Sequence, residues 1–427
     1  MIPQPSALQL RWQETGFGLF CHFGINTFHG WEWSDGSLDP ALFNPQKFDP
    51  AQWVAVAQEA GMKYLVLTAK HHDGFCLWPT ATTNYSVAAS PYRGDIVGEV
   101  AKACAQAGMH LGLYLSPWDR NAACYSDKDA YDDFYCRQLT ELCTNYGPLF
   151  EMWFDGAGSE GRVYDWDRIM AVVDRYQPDA VVFNMGRPTI RWAGNEDGVA
   201  EDPCYYAVDN LKVSAFTERQ DSIGPNKIYL PPECDVSIRQ HWFGHPDDLE
   251  TLKTTEHLLA IYYRSIGLGA NLLLNLGPNR DGLLDADDTA RLLEMSADLE
   301  ARFKAPMAAT VAETAGGFTV NFGEARTFDH LELREELTAG QAIDGYRVVD
   351  EDSGRELCGG ITVGVRKWDV FPQTTARRLR IECNTFPSAV AHLKSATAYL
   401  TGHETAPVLG KPIDYAACKA KAMMPGH

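Results

Sequence analysis

PAQWVAVAQEAGMKYLVLTAKHHDG, Pro50 to Gly74, holds the unit on which the fold turns. Its first half places Trp53, Val54, Ala57 and Ala60 on one helical face, and Gly61 follows as a helix stop. Its second half, Tyr64 to Lys70, is apolar at nearly every position, as in a strand covered on both faces. The strand then gives way to His71, His72, Asp73 and Gly74.

The same alternation recurs from residue 17 to about 303. GFGLFCHFG, YLVLTAK, LGLYLSP, FEMWFDG, AVVFNMG, KIYLPPE and NLLLNLG read as strands. Between them DIVGEVAKACAQAG, AYDDFYCRQLTELCTNYG, DWDRIMAVVDRYQP and DDLETLKTTEHLLAIYYRSIG carry helical patterns. Repeated strand–helix units predict a parallel sheet, and seven strands in this length favour a (β/α)8-like barrel over a doubly wound sheet. No G-x-G-x-x-G follows the first strand, so the dinucleotide fingerprint is missing. After residue 304 the pattern changes to short alternating runs such as GFTVNFG, DHLELREEL and RRLRIEC. These predict an antiparallel β-sandwich over 305–402, with 403–427 as a C-terminal tail.

The chain has 427 residues, 45% hydrophobic and 22% charged, with a formal net charge of -20. That charge disfavours nucleic acid and anionic membrane surfaces as partners. No apolar run approaches the roughly 20 residues of a membrane span. The N-terminal MIPQPSALQLRWQ lacks a charged n-region and an apolar h-region, so a cytoplasmic location is expected. The 11 cysteines show neither CxxC pairs nor zinc-ligand spacing, and read as reduced core residues. Nothing in the composition speaks to oligomeric state.

In a parallel barrel the active site is built at the carboxyl ends of the strands. Those ends supply His22, Glu32 and Trp33, then His71 and His72, then Tyr114, then Trp153 and Asp155. Arg191, Trp192 and Glu196 follow the fifth strand, and Glu233 the sixth. Any one of these has a structural explanation, such as a helix cap or core packing. Their convergence on one rim does not. Indoles and imidazoles beside carboxyls, without a phosphate-cradling loop, suit a neutral, hydroxyl-rich ligand. Paired Asp/Glu groups cleave glycosidic bonds, and Asp155, Glu196 and Glu233 are available. Catalytic zinc needs three converging ligands, and no H-E-x-x-H or similar spacing offers them, so no metal is expected.

HFGINTF, EWSDG, KHHDGFCLW, WFDGA, RWAGNEDG and NLLLNLGP, in this order, resemble the α-L-fucosidases of glycoside hydrolase family 29. The resemblance covers about residues 1–400. It implies a retaining hydrolase of terminal α-L-fucose that needs no cofactor and acts on a fucosylated oligosaccharide or glycoconjugate. It makes Asp155 of WFDGA the nucleophile. It places His22, His71, His72, Tyr114 and Arg191 around the sugar hydroxyls, with Glu32 and Trp33 as further contacts; Trp153 and Trp192 are candidate substrate contacts by residue type, as rings on which a sugar face stacks. RWAGNEDG is similar to the subgroup preferring α-1,3- and α-1,4-linked fucose, in which Glu196 is the acid/base; Glu233 is the alternative. A fucosidase of broad specificity and a fucose-binding barrel without turnover are the competing expectations.

Overall fold

The computed structural model describes residues 2–209 and 227–410. Eight parallel strands form the first sheet: β1 Phe17–Cys21, β2 Tyr64–Lys70, β3 His110–Leu115, β4 Glu151–Trp153, β5 Val181–Phe183, β6 Arg191–Trp192, β7 Pro232–Ser237 and β8 Asn271–Asn275. They run in the order β5-β4-β3-β2-β1-β8-β7-β6. A bridge between Phe183 and Ile190 brings the β5 and β6 edges together, so the sheet curls into a nearly closed barrel. The expected barrel is present, with one strand seated differently from the hydrophobic pattern. Lys227–Tyr229 pairs with Ala207–Asp209 in a small antiparallel ribbon, and the barrel strand begins only at Pro232. The eighth strand is the two-residue β6, too short to show any periodicity.

The helices formed where helical spacing and caps coincide. Ile96–Ala107 is capped by Asp95, which accepts from the Gly98 N–H, and ends at Gly108 in the left-handed region. The run from Asp247 to Gly267 divides into a 3-10 turn, Leu249–Thr251, and a helix, Thr255–Arg264, capped by Thr254. A further helix, Ala7–Thr15, closes the bottom of the barrel and is opened by a Ser6/Gln9 capping box. Trp12 on this helix is fully buried and donates to the Glu151 carboxyl at 3.1 Å.

Two apolar regions result from the strand alternation. Residues such as Leu65, Leu67, Cys234 and Val236 face the helices. Phe20, Tyr64, Val66, Tyr114, Trp153, Phe183 and Leu273 fill the barrel interior. Large and small residues alternate across that interior. A Cβ on Gly18 would lie 2.4 Å from the Tyr64 ring, so the glycine makes room for the tyrosine.

The last barrel helix ends at Phe303, and antiparallel strands occupy Met307 to Tyr399. Gly317–Glu335 and Lys367–Thr385 are long strands with register shifts midway. Their two halves belong to different layers, which is how one hydrogen-bonded sheet folds into a sandwich around Phe328, Leu331, Leu379 and Ile381. Of the expected tail, residues 411–427 lie outside the described residues. All ten cysteines among the described residues are free. No described helix is long and apolar enough to cross a membrane.

Candidate active site

The carboxyl end of the barrel opens into a cavity of about 190 Å³. Phe20, Trp153 and Phe183 form its floor, with the Trp153 and Phe183 rings stacked 3.9 Å apart. His22, Glu32, Trp33, His71, His72, Asp155, Trp192 and Glu196 line its walls, joined by Asn184, Asp235 and Trp242.

Asp155 stands just beyond β4. Its Oδ2 accepts from the Tyr114 hydroxyl at 2.9 Å, and its Oδ1 from the Ala157 N–H at 2.8 Å. His72 Nε2 lies 3.6 Å from the same Oδ2. Both carboxylate oxygens are therefore held in fixed directions while the group still faces the cavity. Tyr114 is fully buried and does not itself line the cavity; it acts on Asp155 from beneath.

The imidazoles have assignable protons. Asn275 Nδ2 donates to Ser237 Oγ and to the Trp242 carbonyl, leaving its Oδ1 to accept from His22 Nδ1 at 2.9 Å. His22 Nε2 is then a bare acceptor. Burial pushes the His22 pKa down to about 3, so the ring stays neutral at pH 7. Ser116 Oγ donates to the Trp118 carbonyl and so accepts from His72 Nδ1 at 2.7 Å. His72 Nε2 is an acceptor too, with burial lowering its pKa against the pull of Asp155. His71 is buried, also held neutral by burial, and its Nδ1 has no protein partner. Where β2 ends, the two rings sit 4.1 Å apart and both border the cavity. Alternation along a strand would have sent them to opposite faces. Neutral imidazoles presenting acceptors are what a sugar hydroxyl, a donor, requires.

On another wall Glu32 accepts from the Trp242 N–H at 2.6 Å, and burial raises its pKa to about 7. Asp235 accepts from Trp192 Nε1 at 2.7 Å, and burial, then the charge of Glu196, raises its pKa well above the usual carboxylate range.

Two expected site residues are elsewhere. Glu233 is not at the rim. Because β7 starts at Pro232, Glu233 occupies the entrance end of the strand and points into the barrel, fully buried below the cavity floor. It accepts from Tyr64 at 2.7 Å and from Trp153 Nε1 at 3.1 Å. Burial raises it and its neighbour Glu151, which repel one another if both ionise. Arg191 does not line the cavity. Its guanidinium turns aside to the Tyr205 carbonyl, at 3.0 Å.

Asp235 and Phe183 join the site without having been expected there, although the chain carries a signal for Asp235. Glu233, Asp235 and Ser237 alternate with Cys234, Val236 and Ile238, a period-2 pattern with its polar face inward. Outside the cavity, His241, His245 and Asp248 come together among the described residues. There Arg239 and His241 already engage both Asp248 oxygens, at 3.0 and 2.9 Å.

Carboxyls, indoles and neutral imidazoles around a cavity at the carboxyl end of a parallel barrel define a glycoside hydrolase by class. A family model described as alpha-L-fucosidase matches residues 30–302. A putative alpha-L-fucosidase 1 of Oryza sativa is 37% identical over 429 residues, covering 89% of this chain and 82% of its own. Alpha-L-fucosidase 1 of Arabidopsis thaliana is 42% identical over 308 residues, covering 69% and 60%. Among solved structures, a putative alpha-L-fucosidase of Bacteroides ovatus superposes with a TM-score of 0.87 at 38% identity, over 96% of this chain and 76% of that one. A GH29 fucosidase of Ruminococcus gnavus in complex with fucose gives 0.84 at 31%, over 93% and 95%. The chain belongs to the α-L-fucosidases of glycoside hydrolase family 29.

Proposed function

We propose that this α-L-fucosidase is a retaining exo-enzyme that removes terminal α-1,3/1,4-linked L-fucose from Lewis-type oligosaccharides. The observation that carries the mechanism is Asp155, anchored through both oxygens by Tyr114 and the Ala157 N–H, in the cavity that Glu196 also lines.

Asp155 attacks the anomeric carbon as the glycosidic C–O bond breaks, and Glu196 gives its proton to the departing oxygen. The Glu196 carboxylate then takes a proton from water. That water attacks the same carbon, and the ester bond to Asp155 breaks. His22 and His72 accept hydrogen bonds from fucose hydroxyls through Nε2, and His71, whose ring also borders the cavity, adds a third imidazole to that corner. Trp33, Trp153, Trp192 and Trp242 offer the apolar faces on which a sugar ring stacks. The linkage preference is supported by the RWAGNEDG loop, Arg191–Gly198. Turnover of simple α-fucosides alone, with no Lewis-type cleavage, would point to the broad-specificity reading.

The test uses the leaving group. An acid catalyst matters most when the departing oxygen is basic, as in a sugar, and little for an activated phenol. Glu196→Ala is expected to lose oligosaccharide cleavage far more than the first step on an aryl fucoside, and azide, displacing Asp155 from the β-fucosyl-enzyme, should restore turnover as α-fucosyl azide. Azide rescue in Glu233→Ala and not in Glu196→Ala would reverse the assignment.

A further inference from the structure

The loop that carries Glu196 is tied at three points. Asn195 closes its tip, accepting from the Asp197 and Val199 N–H groups at 3.1 and 3.4 Å and donating to the Val199 carbonyl at 2.9 Å. Gly198, with φ +74°, seats the loop on the barrel: a Cβ there would stand 2.5 Å from Val236. The third tie comes from the other domain. Asp202 to Tyr206, six to ten residues beyond Glu196, is gripped by side chains of the β-sandwich.

Gln341 bridges two backbone groups of this segment, donating to the Cys204 carbonyl at 3.0 Å and accepting from the Tyr206 N–H at 3.0 Å. It does what a neighbouring strand would do, with an amide in place of a backbone. Thr362 accepts from the Cys204 N–H at 3.1 Å, and Lys367 Nζ sits 3.3 Å from both Asp202 oxygens. The Tyr205 hydroxyl donates to Asp344 at 3.2 Å, and the Tyr206 hydroxyl accepts from the Val365 N–H at 3.0 Å. Gln341 and Thr362 are buried together with their backbone partners, so those bonds are shielded from competition by water, whereas the Asp202 partner of the buried Lys367 is half exposed. Arg191 completes the frame from β6 through the Tyr205 carbonyl.

The sandwich also packs on the barrel's outer helices, with Trp368 against Tyr263 and Phe303 and His330 bonded to the Tyr263 hydroxyl. Beyond that bracing, its polar side chains converge on the segment immediately downstream of one cavity-lining carboxyl. We propose that the β-sandwich is a positioning element of the reaction: Gln341, Thr362 and Lys367 hold the Glu196 loop so that the proton donor meets the departing oxygen. This rests on the reading of Glu196 as acid/base. The three are positioning residues, since none touches the substrate. Asp155 is held by bonds within the barrel, so loosening the clasp should impair proton donation and leave nucleophilic attack largely intact.

The experiment compares full-length wild type with Gln341→Met, Thr362→Val and Lys367→Met, and with Glu196→Ala as reference. Arg347→Met, on the exposed sandwich surface beside Glu382, is the control. Each is assayed on a Lewis-type trisaccharide and on nitrophenyl α-L-fucoside, with melting temperature measured alongside. Misplacing a catalytic group by about an ångström costs on the order of 100-fold, so Gln341→Met should lower kcat/KM on the trisaccharide about 10- to 100-fold. Its kcat/KM on the aryl fucoside, which reports the first step alone, should stay within about threefold, as expected where only a leaving-group interaction is lost. Thr362→Val and Lys367→Met should shift the same ratio less. A parallel fall of kcat/KM on both substrates, or no change on either, overturns the proposal and leaves the sandwich a brace. Equal losses of kcat/KM on both substrates for Glu196→Ala would overturn the acid/base reading itself, and the proposal with it.

Discussion

Glu233→Gln separates a structural carboxyl from a catalytic one. In the wild type Glu233 is fully buried, and burial raises its pKa from 4.5 to about 7. Below pH 4.5 the group is protonated in both folded and unfolded chains, and its contribution does not vary. Between 4.5 and 7 the unfolded chain releases the proton while the folded chain keeps it, so stability falls as pH rises. Above 7 the loss is complete. At ~1.4 kcal/mol per pH unit, the window amounts to about 3 kcal/mol. Glutamine keeps the shape and cannot ionise. Its Oε1 can accept from Trp153 Nε1 while its Nε2 donates to the Tyr64 hydroxyl, so both contacts can be kept at every pH. The assay is urea unfolding of wild type and variant from pH 4.5 to 8. The variant should gain on the wild type as pH rises across that range, by at most about 3 kcal/mol, because Glu151, relieved of the Glu233 charge, takes up part of the titration. Any change in fucosidase activity should be equal on oligosaccharide and aryl substrates, because Glu233 lies below the cavity floor and does not line the cavity. Parallel stability curves would refute the buried-proton reasoning. Azide-rescued activity in this variant would place Glu233 in the chemistry.

Early-time NMR should show α-fucose as the first product, since a retaining pair of carboxyls stands roughly 5–5.5 Å apart; β-fucose first would contradict it. Product assays should show α-1,3/1,4-linked fucose in Lewis-type glycans released well ahead of α-1,2-fucosyllactose, and equal turnover would remove the subgroup reading. His71→Ala and His72→Ala should each lose one hydroxyl bond, about 1–3 kcal/mol or roughly 10- to 100-fold in kcat/KM. Stoichiometric zinc in the wild type, lost in either variant, would replace the sugar-clamp account.

Much of the site was legible because strand ends announce themselves. Tyr64–Lys70 reads directly as a doubly covered strand, and His71 and His72, coming immediately after it, had to lie at a barrel rim. Asp155 was legible for the same reason, two residues beyond Trp153. The chemistry of the rim needed only residue types: imidazoles, indoles and carboxyls suit a hydroxyl-rich ligand wherever they meet. Glu233 shows the limit. Moving the strand start from Lys227 to Pro232 carries it from the exit end of the barrel to the entrance, and nothing local distinguishes the two placements.

The sequence by itself determined the alternation of strand and helix, the change to an antiparallel domain and the set of residues from which a site could be built. Those depend on hydrophobic spacing and caps, which act over a few residues. Tertiary structure decided which carboxyls share a cavity. It closed the barrel through the two residues of β6, turned Arg191 aside to Tyr205, brought Asp235 inward beside Trp192, and placed Gln341 across Cys204 and Tyr206. Each of these depends on register and packing between residues far apart in the chain, and strand register is set by partners that lie outside the strand.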